Sequence, residues 1–386
     1  MTRSTSNKVI FMIDSRGVIK HEDHETINRH KDYSNRFKML EPDGNFRIIS
    51  ASKMSESVKV NSHFTINYVK SNYRISIFYV YKAFSIIKAS KAKKIALIAG
   101  DPWESALNAF ILRFITKYFL GLNAAIQIQL HADVTDANWR KQKRINQLRS
   151  RSAFLSLRNA DQIRTVSIHQ KTQIVKLFRL KHERIFVSPV SLNIPNRPFT
   201  LFSSNRPNSL GFAGRFQADR GLEDLLSYIE KLGSVNSDFE VVLAGSGPEL
   251  EEFLGNLYKV IPKEKVKHLG YLNSQEMIQF WSQIGVYLST ARSESYGRSI
   301  REAAYFGIPV LATPSNGFSE LIENKLPWIE TLNLSDSSSK LAKQFGSLKT
   351  IKTDDTIQKH ILNGWETNQN QIVNSWMELL SIKSNL

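Results

Sequence analysis

No cysteine occurs anywhere in the 386 residues, which removes disulfides and thiolate metal centres from consideration. Long apolar runs are missing as well. The greasiest stretch, FILRFITKYFLGLNAAIQIQL (110–130), is interrupted by Arg113 and Lys117, so no bilayer-spanning helix is expected. Near the N-terminus only Val9 to Ile13 is continuously apolar, too short for a signal-peptide core; a cytoplasmic location is the expectation. There is no Walker sequence, no full GxGxxG and no Asp-x-Asp. These gaps weaken ATP hydrolysis, dinucleotide oxidoreduction and a Mg²⁺-bridged diphosphate in turn. The nine histidines are too scattered for a metal site. Neither metal nor cofactor is expected.

Acidic residues are scarce in one half only. Residues 1–200 hold 34 Lys and Arg against 14 Asp and Glu, while residues 201–386 hold 18 against 21. The whole net charge of +17 therefore belongs to the first half. Such a half suits nucleic acid, an anionic membrane face or a phosphorylated substrate. With 41% hydrophobic and 23% charged residues, the composition is that of an ordinary globular protein, and the length suits two domains.

What is present reads as alternating strands and helices. In the second half the strands SLGFAG, FEVVLAGSG, VYLST and PVLAT are separated by helical segments such as LEDLLSYIEKL and PELEEFLGNLY. That alternation predicts a parallel, doubly wound sheet, with ligands beyond the carboxyl ends of the strands. The first half follows suit with KVIFMID, KIALIAG and NAAIQIQLHAD as strands, and RKQKRINQLRSRSAFLSLRNAD as one basic amphipathic helix. Four prolines between Pro189 and Pro207 mark an interdomain linker. The domains are accordingly residues 1–196, residues 197–365, and a C-terminal helix, 366–386, packing back toward the first.

The glycine-bearing loops carry the chemistry. FAGRFQADRG puts Arg215 after a strand end and Arg220 before a helix, AGSGPE contributes Gly245 and Gly247, and SESYGRSIREAAYFG sets Glu294 and Glu302 eight positions apart. Eight helical steps rotate by about 800° and rise about 12 Å. A helix beginning near Gly297 would leave the first carboxylate over a cleft and the second along its wall. Two arginines and a helix N-terminus suit a diphosphate.

The segments GFAGRFQADRGLEDLL, VVLAGSGPELEEF, VKHLGYLNSQEM and ESYGRSIREAAYFGIPVLAT resemble, in order, the motifs of the retaining glycosyltransferases of family 4, the group 1 set with the GT-B fold of two facing Rossmann-like domains. GDPWESALNAF with IQIQLHAD, and NRHKDYSNRF, are similar to a subset of that family. The resemblance implies an α/β fold and transfer of a sugar from a nucleotide-diphosphate donor, without a metal, to a glycan or lipid-linked saccharide acceptor. It implies that Glu294 reads the transferred sugar and Glu302 the ribose. Gly214, Arg215, Arg220, Gly245, Gly247, Tyr271, Tyr296, Gly297 and Arg298 would surround the carrier. His131 would face the anomeric centre, and Arg29, Asp101 and Asp133 would lie toward the acceptor. Arg220 stands where that family usually has lysine, and Arg298 where it commonly has an aliphatic residue. Two alternatives stay open: a sugar-nucleotide 2-epimerase of the same fold, and a nucleic-acid-binding protein, for which no recognised module is present. No nucleic-acid partner is expected. The basic stretch 139–158 suggests peripheral docking on the inner face of an anionic membrane.

Overall fold

Strands buried on both faces need helices on both sides, and that requirement organises the whole chain. The computed structural model describes residues 7–20, 24–71, 76–192, 194 and 206–382. Two compact units emerge: residues 1–135, 143–189 and 366–386, and residues 136–142 with 190–365. Most of the proline-marked linker, at 193 and 195–205, lies outside the described residues.

The first unit runs β1 (Lys8–Asp14), α1 (His24–Leu40), β2 (Asn45–Ser52), β3 (Glu56–Lys59), β4 (Phe64–Lys70), α2 (Ile77–Ala89), β5 (Lys94–Ala99), α3 (Glu104–Leu120) and β6 (Ala125–Leu130). After α4 (Ala137–Gln142) come α5 (Arg144–Asn159), β7 (Gln162–Thr165), α6 (Ile168–Phe178) and β8 (Ile185–Val187). The eight strands are ordered β3-β4-β2-β1-β5-β6-β7-β8, parallel except for the β3–β4 edge pair. In β1 every residue after Lys8 is buried.

The single basic helix read from the sequence is two helices. Lys143 is extended (φ −146°, ψ 138°) and breaks it. Asp136 starts α4 by accepting from the N–H groups of Asn138 and Trp139, and Asn138 donates to the Arg292 carbonyl at 3.2 Å. That last bond ties α4 to the rest of the second unit.

That unit comprises β9 (Ser209–Ala213), α7 (Leu222–Gly233), β10 (Glu240–Ala244), α8 (Leu250–Val260), β11 (Val266–His268), α9 (Met277–Gln283), β12 (Val286–Ser289), α10 (Arg298–Tyr305), β13 (Val310–Ala312), α11 (Asn316–Ile322), β14 (Ile329–Thr331) and α12 (Ser338–Thr350). Its parallel sheet is ordered β11-β10-β9-β12-β13-β14, with an apolar core on each face. The long α13 (Thr356–Ser381) is shared between the units. Its later part belongs to the first, where Trp376 stacks on Phe46 (ring centroids 5.1 Å apart, 11° between planes).

Candidate active site

Strand order in the second unit reverses between β9 and β12, with β10 and β11 to one side and β13 and β14 to the other. Such a switch point opens a crevice beyond the strand ends. Onto it β9 delivers Gly214 and Arg215, and the turn before α7 delivers Arg220. The guanidinium of Arg220 donates to Glu294 and lies 3.8 Å from Asp219. Burial opposes its charge, but Glu294 and Asp219 outweigh that and hold its pKa above the ordinary arginine value. The turn has no slack. Gly221 has φ +67°, a Cβ there would come within 2.2 Å of the Thr290 carbonyl oxygen, and the Thr290 hydroxyl donates to the Arg220 carbonyl. Arg215, by contrast, is exposed.

Beyond β12 the chain passes through Glu294 and Tyr296 to Gly297, whose left-handed conformation (φ +70°) caps α10. The helix thus starts where the Glu-to-Glu spacing asks it to. Glu302 is buried, and Arg298, one turn earlier, lies 3.7 Å from its carboxylate; the arginine unusual for the resembled family faces one of the two glutamates. Arg301, missed from the sequence, braces the loop. Its guanidinium lies 4.0 Å from the centroid of the Tyr296 ring, donates to the Gly317 carbonyl at 2.7 Å and sits 3.5 Å from Glu320. Burial lowers its pKa, with Tyr296 and Glu320 opposing. A Cβ on Gly317 would meet the Tyr296 backbone at 2.6 Å. The available signal was an arginine on the otherwise apolar side of RSIREAAY.

The family resemblance puts Gly245 and Gly247 around the carrier. The structure supplies a need for glycine at both. A Cβ on Gly245 (φ +125°) would lie 1.9 Å from the Gly214 oxygen, and one on Gly247 2.2 Å from the Phe216 oxygen. Gly214 and Phe216 in turn donate to the Ala244 and Ser246 carbonyls. The β9 and β10 loops are therefore pressed backbone to backbone. Gly245 also donates to Gly270 at 2.7 Å, which brings the exposed Tyr271 beside the same loop.

In the first unit the expected residues separate by role. Asp101 is buried and accepts from the N–H groups of Trp103 and Ser105 and from the Ser105 hydroxyl; burial raises its pKa against those bonds. It ties down the start of α3. Asp133, also buried, accepts from the N–H and hydroxyl of Thr135. His131, just past β6, has Nε2 3.1 Å from the Gln129 amide oxygen. Although the residue is exposed, loss of solvation around its ring, and then Arg164, Arg29 and His30, push its pKa down to about 3. Arg29 contacts the Thr26 hydroxyl at 3.5 Å. Arg164 is a residue the sequence reading passed over. Buried near the end of β7, it donates to the Ser188 and Pro189 carbonyls. A lone charge inside QIRTVSIH was its signal. Among the described residues no group of three or more His, Asp or Glu side chains could hold a metal ion.

Residues 194–345 match the family described as glycosyl transferases group 1. An uncharacterized glycosyltransferase of Bacillus subtilis, YqgM, is 25% identical over 50% of this chain and 53% of its own length. The uncharacterized glycosyltransferase MJ1607 of Methanocaldococcus jannaschii is 24% identical over 45% and 47%. The chain spans about half the length of these curated relatives. Among solved structures, sucrose-phosphate synthase from Thermosynechococcus elongatus superposes with a TM-score of 0.71 over 97% of this chain and 99% of that one, at 14% identity. Anabaena Alr3699/HepE, in complex with UDP-glucose, gives 0.67 over 96% and 99%, at 15%. The fold is that of the GT-B glycosyltransferases, and the sequence match supports the group 1 superfamily.

Proposed function

We propose that this chain, a GT-B fold carrying the group 1 glycosyltransferase pattern in its second unit, transfers a sugar from a nucleotide-diphosphate donor. The acceptor is a glycan or a lipid-linked saccharide, as in surface polysaccharide or glycolipid synthesis, and the anomeric configuration is retained. One observation carries the reading: the Arg220–Glu294 pair at the switch point, with the exposed Arg215 on the adjoining strand end. A diphosphate offers Arg220 stronger bidentate acceptors than one carboxylate does. Its arrival would draw the guanidinium away and free Glu294 to accept hydrogen bonds from hydroxyls of the transferred sugar.

Glu302 is assigned to the ribose hydroxyls, with Arg298 3.7 Å from its carboxylate. The start of α10 and the backbone at Tyr296 and Gly297 face the sugar and diphosphate, and the Gly214, Gly245 and Gly247 loops with Tyr271 line the carrier. As the glycosidic bond breaks, negative charge grows on the leaving diphosphate. Arg215, Arg220 and the helix dipole stabilise that charge more in the transition state than in the ground state. These fixed cations fill the role a divalent ion fills elsewhere, and the leaving phosphate takes the acceptor's proton. Glu294 is not a covalent nucleophile in this scheme.

The first unit takes the acceptor side. Neutral His131 offers the acceptor a hydrogen-bonding nitrogen, and Arg29 and Arg164 supply positive charge beside it. Asp101 and Asp133 act by shaping their loops. The test is incubation of the purified chain with a panel of nucleotide sugars, with and without lipid-linked saccharides, and product analysis by mass spectrometry and NMR. The reading expects a glycosylated acceptor with the donor's anomeric configuration. No product from any donor–acceptor pair, or an inverted product, would contradict it.

A further inference from the structure

The helices α2, α3, α5 and α6 each follow a strand that steps in the same direction along the first sheet, from β4 through β5, β6 and β7 to β8. Right-handed crossovers place all four on one face of that sheet, opposite α1, whose connection steps the other way. A helix in such a layer buries one stripe and shows solvent a polar one. Neither α2 nor α3 does so. The inward stripe of α3 is Ala106, Ala109, Leu112 and Thr116, yet its outward side carries Phe114, Tyr118 and Phe119, at 72%, 76% and 66% exposure. On α2 the outward residues are Ile77, at 91%, with Phe78 and Tyr81. The two helices are packed neighbours, joined by Phe84 against Phe119 at 6.0 Å. The apolar side chains therefore form one face rather than scattered single residues.

The charge around that face has one sign. Lys82 and Lys88 on α2 and Lys117 on α3 are exposed. Across α2, α3 and α5 the only acidic residue is Glu104, which accepts from Arg149 at 3.0 Å. A second copy of this chain would set lysine against lysine. An anionic lipid surface instead offers acyl chains to the rings and phosphate groups to the lysines. None of the described helices is long and apolar enough to cross a membrane, so contact would be in the plane of the headgroups.

We propose that the α2–α3 face of the first unit rests on an anionic bilayer, with Ile77, Phe78, Tyr81, Phe114, Tyr118 and Phe119 at the headgroup–acyl boundary and Lys82, Lys88 and Lys117 among the headgroups. This relocates the contact expected of residues 139–158: α5 flanks the face, while α4 belongs to the other unit. The proposal stands whether or not the transfer reaction does.

Flotation of the full chain with vesicles of phosphatidylcholine, alone or mixed with phosphatidylglycerol, tests it. The wild type is expected to float with the mixed vesicles and stay at the bottom with the neutral ones. The variant Phe114→Ser/Tyr118→Ser/Phe119→Ser should lose at least about tenfold in vesicle affinity. So should Lys82→Glu/Lys88→Glu/Lys117→Glu, which spares the apolar residues. The charge variant should keep the wild-type melting temperature, because its lysines are exposed; the serine variant also loses the Phe84–Phe119 contact, so its vesicle affinity is read well below its own melting temperature. Equal recovery on neutral and anionic vesicles, or wild-type flotation by both variants, overturns the proposal. So does a wild-type dimer in light scattering that the serine variant dissociates.

Discussion

The two units deploy charge in opposite ways. In the second, three arginines around the switch point meet opposite charges, Arg220 with Glu294, Arg298 with Glu302 and Arg301 with Glu320, beside the exposed Arg215. In the first, Arg164 is held by backbone carbonyls, and the outer helices show rings and lysines to solvent. A paired site accepts an anionic ligand by exchanging partners, and so can be rigid and selective. A cation held by carbonyls, as Arg164 is, has no carboxylate to exchange and attracts an anion directly, leaving the anion's shape open. The contrast suggests a second unit built for one kind of carrier and a first unit adapted to an acceptor and the surface that presents it.

The largest effect should come from breaking the backbone contact between the β9 and β10 loops. Gly245→Ala forces a Cβ toward the Gly214 oxygen at a left-handed φ, and overpacking together with backbone strain costs about 3 kcal/mol or more. Thermal melting should show the loss, and donor affinity should fall with it. Next comes Glu302→Gln, which keeps the shape but removes the charge. Hydrogen bonds to charged groups contribute about 1.5–3 kcal/mol, so nucleotide affinity in calorimetry should drop about 10- to 100-fold with an unchanged melt.

The first unit sharpens the contrast through pH. The folded-state pKa of His131 lies near 3, below the ordinary histidine value of about 6.5. The unfolded chain therefore takes up the proton first. Above about pH 6.5 the group costs nothing; stability declines as pH falls from that value toward about 3, by less than the full shift implies because solvent screens an exposed residue. His131→Gln should flatten that part of the stability–pH curve measured by urea titration. The smallest effect is expected at Asp101→Ala, which removes a helix-start acceptor and should lower stability by about 1 kcal/mol with donor affinity unchanged. A large loss of donor affinity there would erase the distinction drawn between the units.

Much of this was legible in the sequence because it is local. Gly297 before a helix, the Glu294–Glu302 interval and the strand-ending glycines are short-range patterns that one turn of backbone decides. What escaped depends on neighbours far along the chain. Gly245 and Gly247 are glycines because Gly214 and Phe216 pass behind them, about thirty residues earlier. Arg164 and Arg301 look misplaced in apolar segments until Ser188, Pro189, Gly317 and Glu320 supply their partners. The break at Lys143 separates two good helical sequences, and only α4's bond to Arg292 shows why they part. The α2–α3 face needs strand order and crossover handedness before its outward residues can be told from its inward ones.

The most direct trial of the cationic cradle is calorimetric titration of a panel of nucleotide-diphosphate sugars into the wild-type chain and into Arg215→Ala/Arg220→Ala. The account expects the wild type to bind at least one sugar nucleotide without added divalent ions and the double variant to bind it at least about 100-fold more weakly, from the loss of two charge-assisted contacts. Undiminished binding by the double variant, or no binding by the wild type, would contradict it.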